Sequence, residues 1–172
     1  AGNRFRFIYK PGLVYEHMDL NLDTPALSDR RVRQALLMAI DRGQIVARLF
    51  EGRQTVAHTT VNPLDGMHDD NVRQWPFDLA RARALLDESG WRPGPDGVRR
   101  NAAGERLTLE LMTTAGNRSR EAVQQVIQGM WRQAGIETRI RNEPPRVFFA
   151  ETLSRRRFTG AAMFAWISSP EN

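Results

Sequence analysis

The chain has 172 residues, 41% of them hydrophobic and 26% charged, which is ordinary for a globular domain and enough to bury roughly 70% of its unfolded surface. It contains no cysteine, which excludes disulfides, thiolate metal sites and cysteine nucleophiles, and no run approaches the ~18 apolar residues of a membrane span. The net charge is +5, but the 25 basic residues, of which Lys10 is the only lysine, are scattered among 20 acidic ones with one tight cluster at 155–157, so a phosphate-reading surface and a nucleic-acid partner are not expected.

In chain order, RFRFIY at 4–9 alternates and stops at Lys10-Pro11-Gly12, which predicts a short strand; nothing before it has the apolar stretch of a signal peptide. Residues 13–22 predict a second extended segment, and 21–25 a polar lead into a helix pair. That pair, at 28–52, SDRRVRQALLMAIDRGQIVARLFEG, is the most strongly specified stretch. Ser28 is placed to cap a helix, with Asp29 in its first turn, and Val32, Ala35, Leu36, Ala39 and Ile40 recur on one helical face. A second helix restarts at Asp41 with Gln44 three residues on; Ile45, Val46, Leu49 and Phe50 are its apolar positions and Gly52 its end.

From 53 to 76 the periodicity fades among Pro63, Gly66, Pro76 and several Asp and Asn residues, predicting a long irregular loop of the kind that often faces a ligand. Asp78 caps the next helix, carried by Leu79, Ala82, Leu85 and Leu86 and stopped by Gly90. Residues 97–100 and 106–113 are expected to pair as a hairpin around 101–104, with Leu107, Leu109 and Leu111 on one face. A helix over 119–134 comes next, with Val123, Val126, Ile127, Met130, Trp131 and Ala134 inward, then a strand at 136–141 with Ile136 and Ile140 inward. Strand, helix and strand in that order predict parallel pairing. Pro144 and Pro145 open a short helix bearing Val147, Phe148, Phe149 and Leu153, and GAAMFAWI at 160–167 reads as a strand buried on both faces. The fold class is α/β: one domain over 1–172, a small mixed sheet flanked by helices with irregular loops at one edge.

Catalytic signatures are missing: there is no G-x-S-x-G, H-E-x-x-H, Walker loop or G-x-G-x-x-G, so neither catalysis nor a cofactor is expected. His68 with Asp69 and Asp70 reads as a solvated loop rather than a metal corner, and no metal site is assigned. His17, beside Glu16, reads either as a pocket wall or as a surface or strand-edge residue. Trp131 and Phe50 belong to core stripes, and Trp75 and Trp91 flank a helix as staples. Trp166 differs, because it ends a buried strand just before a polar turn, where open α/β sheets bind ligands. Thr113, Thr114 and Asn117 also follow a strand end and either face a ligand or satisfy a turn.

The pattern D-x-R-V-R-Q-A-L-x-x-A-I-D-R at 29–42 resembles the signature of the family 5 extracytoplasmic solute-binding proteins, the dipeptide- and oligopeptide-binding components of ABC importers. DLARARALLDESGW at 78–91, NAAGERLTLELMT, QQVIQGMWRQAGIETRI and FTGAAMFAW are similar to successive segments of the same family, so the resemblance covers about 14–170. It implies one lobe, the carboxy-terminal one, of a two-lobed periplasmic binding protein, with hinge-proximal segments at about 1–13 and 167–172. The amino-terminal lobe, ABC permease subunits and a small solute or peptide are the implied partners. The implied location is periplasmic or extracytoplasmic, lipid-anchored in a Gram-positive bacterium. The ligand face would be the strand-end edge, with Trp166, Ser168, Ser169, His17, Thr114 and Asn117 as candidate contacts. Peptide binders of the family often read W-x-x-D here, the acid holding the peptide ammonium; in this chain Ser169 stands at that place, and a hydroxyl cannot match a carboxylate's charge-assisted bond. The alternative is therefore a non-peptide solute, such as a metal chelate, a sugar or an opine, on the same scaffold.

Overall fold

The computed structural model describes residues 8, 10 and 12–168. The strand expected at 4–9 thus lies outside the described residues but for Ile8, as does the turn at 169–172. The alternation VYEHMDL becomes β1 (Val14–Leu20). The polar lead after it closes into a one-turn helix, α1 (Pro25–Ser28), which Pro25 starts. That turn moves the next cap by one residue. The Ser28 hydroxyl donates back to the Pro25 carbonyl at 2.7 Å, so Asp29 rather than Ser28 caps the following helix, accepting from the Arg31 N–H at 2.8 Å.

α2 (Arg30–Met38) and α3 (Arg42–Leu49) come next, and Asp41 caps α3 by accepting from the Gln44 N–H at 2.8 Å. The α2 stripe of Val32, Ala35 and Leu36, continued by Ala39 and Ile40, is buried as its spacing requires. In α3 only Ile45 is buried; Leu49 is exposed, and Val46 and Phe50 are half-buried. α4 (Leu79–Glu88) is capped by Asp78 and packs on α2 through Ala82, Leu85 and Leu86.

The expected hairpin is present but short: around the turn at 101–104, Arg100 bridges Arg106 antiparallel and the Leu107 N–H donates to the Arg99 carbonyl at 2.7 Å, and β3 (Arg99–Arg100) also pairs with β2 (Arg92–Pro93). The buried Arg99 guanidinium donates to the Ala134 and Trp91 carbonyls at 2.8 and 2.7 Å and to Asp87 at 2.8 Å, fastening β3 to the helices. The apolar run after it, β4 (Thr108–Thr114), is buried on both faces and needs a neighbour on each side. It finds them in β5 (Glu137–Glu143) and β6 (Gly160–Ile167). α5 (Arg118–Gln133) connects β4 to β5, and α6 (Pro145–Val147) runs into a π-helical turn, Phe148–Leu153, before β6.

The main sheet has the order β1-β6-β4-β5, with β1 antiparallel to β6 and β4 parallel to both neighbours. One face, with Met18, Leu20, Leu109, Leu111 and Ala161, packs against α2, α4 and α5. Trp131 is fully buried there, its indole N–H donating to the Leu36 carbonyl at 3.1 Å. The other face, with Met112, Ala162 and Phe164, is covered by Phe148 and Phe158. β5 is an outer strand covered over part of its length: Ile136 just before it is buried, but Ile140, expected inward, is 37% exposed.

Candidate functional site

β1 begins where β6 ends. Val14 faces Ile167, Tyr15 faces Trp166 and His17 faces Phe164, and residues opposed in an antiparallel ladder share a face. Four rings therefore gather at this end of the second face. Tyr15 stacks on His17 with centroids 5.0 Å apart, His17 meets Phe164 at 4.4 Å, and Trp166 packs edge-on to Phe164 at 5.5 Å. Trp166 is 61% exposed although the strand behind it is buried, so the ring stands at the rim.

His17 lies on the edge strand, as one of its two readings has it, but its side chain is only 9% exposed and so is not a surface group. Its Nδ1 sits 3.2 Å from the Tyr15 carbonyl, which can only accept, so Nδ1 carries the proton. Nε2 is buried without a hydrogen-bond partner, with an Asp19 carboxylate oxygen 3.6 Å away.

A second aromatic contribution comes from the π-helical turn. Successive side chains of an α-helix diverge by about 100° at 3.6 residues per turn. Here the turn widens, as the Ser154 N–H bonding the Phe149 carbonyl at 3.3 Å shows. Phe148 and Phe149 both come against Phe164, at 6.2 and 5.9 Å, and stand perpendicular to each other at 5.0 Å. Phe148 is buried and Phe149 is 41% exposed. The turn is clamped to the sheet by the Thr152 hydroxyl, which donates to Glu143 at 2.6 Å; Glu143 pairs with Arg141, which also reaches Glu110 at 2.7 Å.

Beside this cluster is a cavity of about 930 Å³ between the start of β1 and the long loop. Tyr15 lines it and so belongs to both. Burial pushes the Tyr15 hydroxyl above its ordinary pKa, more than nearby Arg42 lowers it, so it remains a neutral phenol. Arg42 holds the loop by donating to the Ala57 and Trp75 carbonyls at 2.7 and 3.0 Å, and the Asn62 amide pins it to the Gly12 carbonyl at 3.0 Å. The walls include Gln54, Thr55, Thr59, Thr60, Asn62 and Gln74, neutral groups that both donate and accept. His68 and the aspartates do not converge: His68 sits 2.9 Å from the Val61 carbonyl and 3.2 Å from Asp70, while Asp69 accepts from the Asn71 N–H at 2.8 Å. Among the described residues, no three His, Asp or Glu side chains are placed to hold a metal ion.

The remaining candidates hold the scaffold. The Thr113 hydroxyl donates to the Met163 carbonyl at 2.7 Å. The buried Thr114 hydroxyl accepts from Arg120 at 3.2 Å, and the Asn117 side chain caps α5 by accepting from the Arg120 N–H at 3.1 Å. Arg120 continues to Glu16 with two contacts at 2.9 Å, tying the start of α5 to β1. The Ser168 N–H donates to the Leu13 carbonyl at 3.0 Å, and Ser169 lies outside the described residues. Tyr15, Phe149 and Phe164 are not among the residues that the sequence singles out. The period-two spacing of Tyr15 and His17 signals the first, whereas a π-turn has no such signature.

Residues 2–172 match the family described as bacterial extracellular solute-binding proteins, family 5, middle region. The oligopeptide-binding protein AppA of Bacillus subtilis (strain 168) is 29% identical over 140 residues, covering 80% of this chain and 26% of that protein. The crystal structure of an oligopeptide binding protein from Thermus thermophilus, complexed with a pentapeptide, superposes with a TM-score of 0.86 at 38% identity, over 94% of this chain and 29% of that one. NikZ from Campylobacter jejuni, in complex with Ni(L-His), superposes with a TM-score of 0.80 over 94% of this chain and 31% of that one; at 23% identity the likeness is one of fold alone. The chain thus spans under a third of the length of each of these relatives.

Proposed function

The chain belongs to the bacterial extracellular solute-binding proteins of family 5, and from that premise we propose that it forms one lobe of an extracytoplasmic receptor that encloses a peptide for import by an ABC transporter. The observation that carries this reading is Trp166, a large ring left 61% exposed at the end of an otherwise buried strand, beside a cavity whose walls carry amides and hydroxyls among charged groups such as Glu51, Asp69 and Asp70. Neutral groups that donate and accept suit a peptide main chain, and an exposed ring at a strand end is a ready wall for its side chains. The relatives whose names state peptide binding support the same ligand class.

The lobe acts by binding alone. Trp166 and His17 form the wall, Ser168 stands at its end with Ser169 next in the sequence, and Thr114 and Asn117 set the turn beside it. A second, amino-terminal lobe supplies the facing contacts, with hinge-proximal segments at about 1–13 and 167–172. Ligand bound between the lobes shifts the balance from open to closed, and the closed form is what the permease subunits receive. No bond is made or broken, so no cofactor or acid/base pair is required. The receptor works outside the cytoplasmic membrane, in the periplasm or on a lipid anchor if the source is Gram-positive. A non-peptide solute, such as a metal chelate, a sugar or an opine, is the second reading, favoured by Ser169 standing where peptide binders carry an acid.

Calorimetric titration of the full-length protein with alanine-based pentapeptides tests the wall. Trp166→Ala is expected to weaken binding roughly 30-fold, about 2 kcal/mol, as removal of a central aromatic contact does. An unchanged affinity would remove Trp166 from the site.

A further inference from the structure

Both nitrogens of the His17 ring face groups that only accept. Nδ1 lies 3.2 Å from the Tyr15 carbonyl, and Nε2 lies 3.6 Å from an Asp19 carboxylate oxygen. A neutral imidazole has one N–H and serves one of them; an imidazolium has two and serves both. In the neutral ring a lone pair is therefore turned toward an acceptor, and Nε2 is buried with no hydrogen-bond partner to relieve it. The His17 side chain is 9% exposed and that of Asp19 is 54% exposed, so the carboxylate opens the pair to solvent protons.

Little else around the ring carries charge. On β1 it stacks on Tyr15 at 5.0 Å and 5°, and burial keeps that phenol neutral. Arg42, from α3, is a nearby cation whose effect falls on Tyr15. From β6 the ring meets Phe164 edge-on at 4.4 Å and Trp166 at 6.4 Å and 13°. The π-helical turn reaches the same Phe164 through Phe148 and Phe149. Aromatic faces attract a cation, so an imidazolium here gains from its stacked neighbours as well as from Asp19. Trp166, 61% exposed, rests on Phe164 and on this ring, so what fixes His17 fixes the wall.

Resting on the peptide reading above, we infer that His17 is a positioning residue whose protonation, through pairing with Asp19, steadies Trp166 and makes solute binding depend on pH. The wall is ordered in advance when the ring is charged, and a pre-ordered wall binds more tightly. Affinity is therefore higher at low pH and falls as the ring loses its proton. Bound solute in turn holds that proton more firmly.

Two measurements on the full-length protein test this. In NMR spectra of the histidine rings, with the His17 signal identified by its loss in His17→Gln, the ring is expected to charge between pH 8 and 5.5. In Asp19→Asn that titration moves to lower pH, because the opposite charge is gone; an unmoved titration overturns the pair. Isothermal titration with pentaalanine at pH 8 and 5.5 spans a range in which histidines change charge and carboxylates do not. The wild type is expected to gain about threefold more affinity at pH 5.5 than His17→Gln does, the scale of a partly exposed ion pair, and Asp19→Asn loses that excess. His68, 3.2 Å from Asp70, is a second imidazole beside the cavity, so the gain is read as a difference. Equal gains in the wild type and His17→Gln overturn the positioning role while leaving peptide binding standing. Absence of binding at either pH removes the peptide reading, and the role with it.

Discussion

Glu137 shows how much chemistry a single surface carboxylate can hold. The Thr108 hydroxyl donates to it at 2.6 Å, and Arg106 adds a contact at 3.1 Å while also pairing with Asp96. These bonds, the Thr108 bond first, hold the Glu137 carboxyl below the usual glutamate range. A carboxylate depressed in the folded state contributes stability above its unfolded pKa, about 4.3, which is lost as pH falls through the folded value. Stability measured by urea midpoint should therefore drop on acidification below about pH 4, and Glu137→Gln should flatten that drop while lowering the neutral-pH midpoint. An identical acid slope in the variant would mean the network does not act. Because these groups are partly exposed and screened by solvent, their pairs contribute little beside the buried stripes. The caps of α3 and α4 follow directly from Asp41 and Asp78, since a short polar side chain before an apolar stripe has few other uses, whereas Asn117, read as a turn or ligand contact, proves to cap α5. Ser28 misleads because its hydroxyl has a nearer partner in Pro25, and α1 carries no periodic signal.

β6 is the element on which the site depends, and its position in the sheet is exacting. At Gly160 a Cβ would overlap the Glu110 backbone, lying 2.6 Å from its nitrogen, so the two central strands approach more closely than any side chain allows. Gly160→Ala should cost roughly 1–3 kcal/mol or more, read as a fall in the urea midpoint. Wild-type stability in that variant would contradict the close approach of β4 and β6. The uncharged GAAMFAWI makes β6 recognisable as a strand buried on both faces, and the stripe of α5 leads to Ile127, Met130 and Trp131 in the core. Two features are not readable from spacing. Buried Arg99 fastens β3 to α4 and to the end of α5 through Asp87 and the Trp91 and Ala134 carbonyls, contacts that no periodicity signals. The π-turn is hidden because it has no periodic signature, and the Thr152 hydroxyl that ties it to Glu143 at the end of β5 does so nine residues away in the chain.

The molecule as a whole separates its two sheet faces by task. The face with Leu109, Leu111 and Ala161 is closed by three helices and gives the fold its mass, while the other carries the aromatic cluster and opens at the strand ends beside the long loop. The excess of arginine, which could suggest a nucleic-acid surface, is largely taken up internally: Arg42, Arg99, Arg120 and Arg141 each bind carbonyls or carboxylates of the scaffold. The position of Trp166 at the rim is readable from the way an apolar strand runs into a polar turn. Tyr15 opposite it, and Phe149 on the neighbouring Phe164, emerge only once β1 and the π-turn are folded against β6. Whether this edge encloses a peptide can be weighed by native mass spectrometry of the full-length protein, purified without denaturation so that it keeps what it carries from the cell. A ladder of peptide masses on the protein is the expected result. A single non-peptide adduct, or protein that carries nothing and takes up no added peptide, would refute the peptide reading.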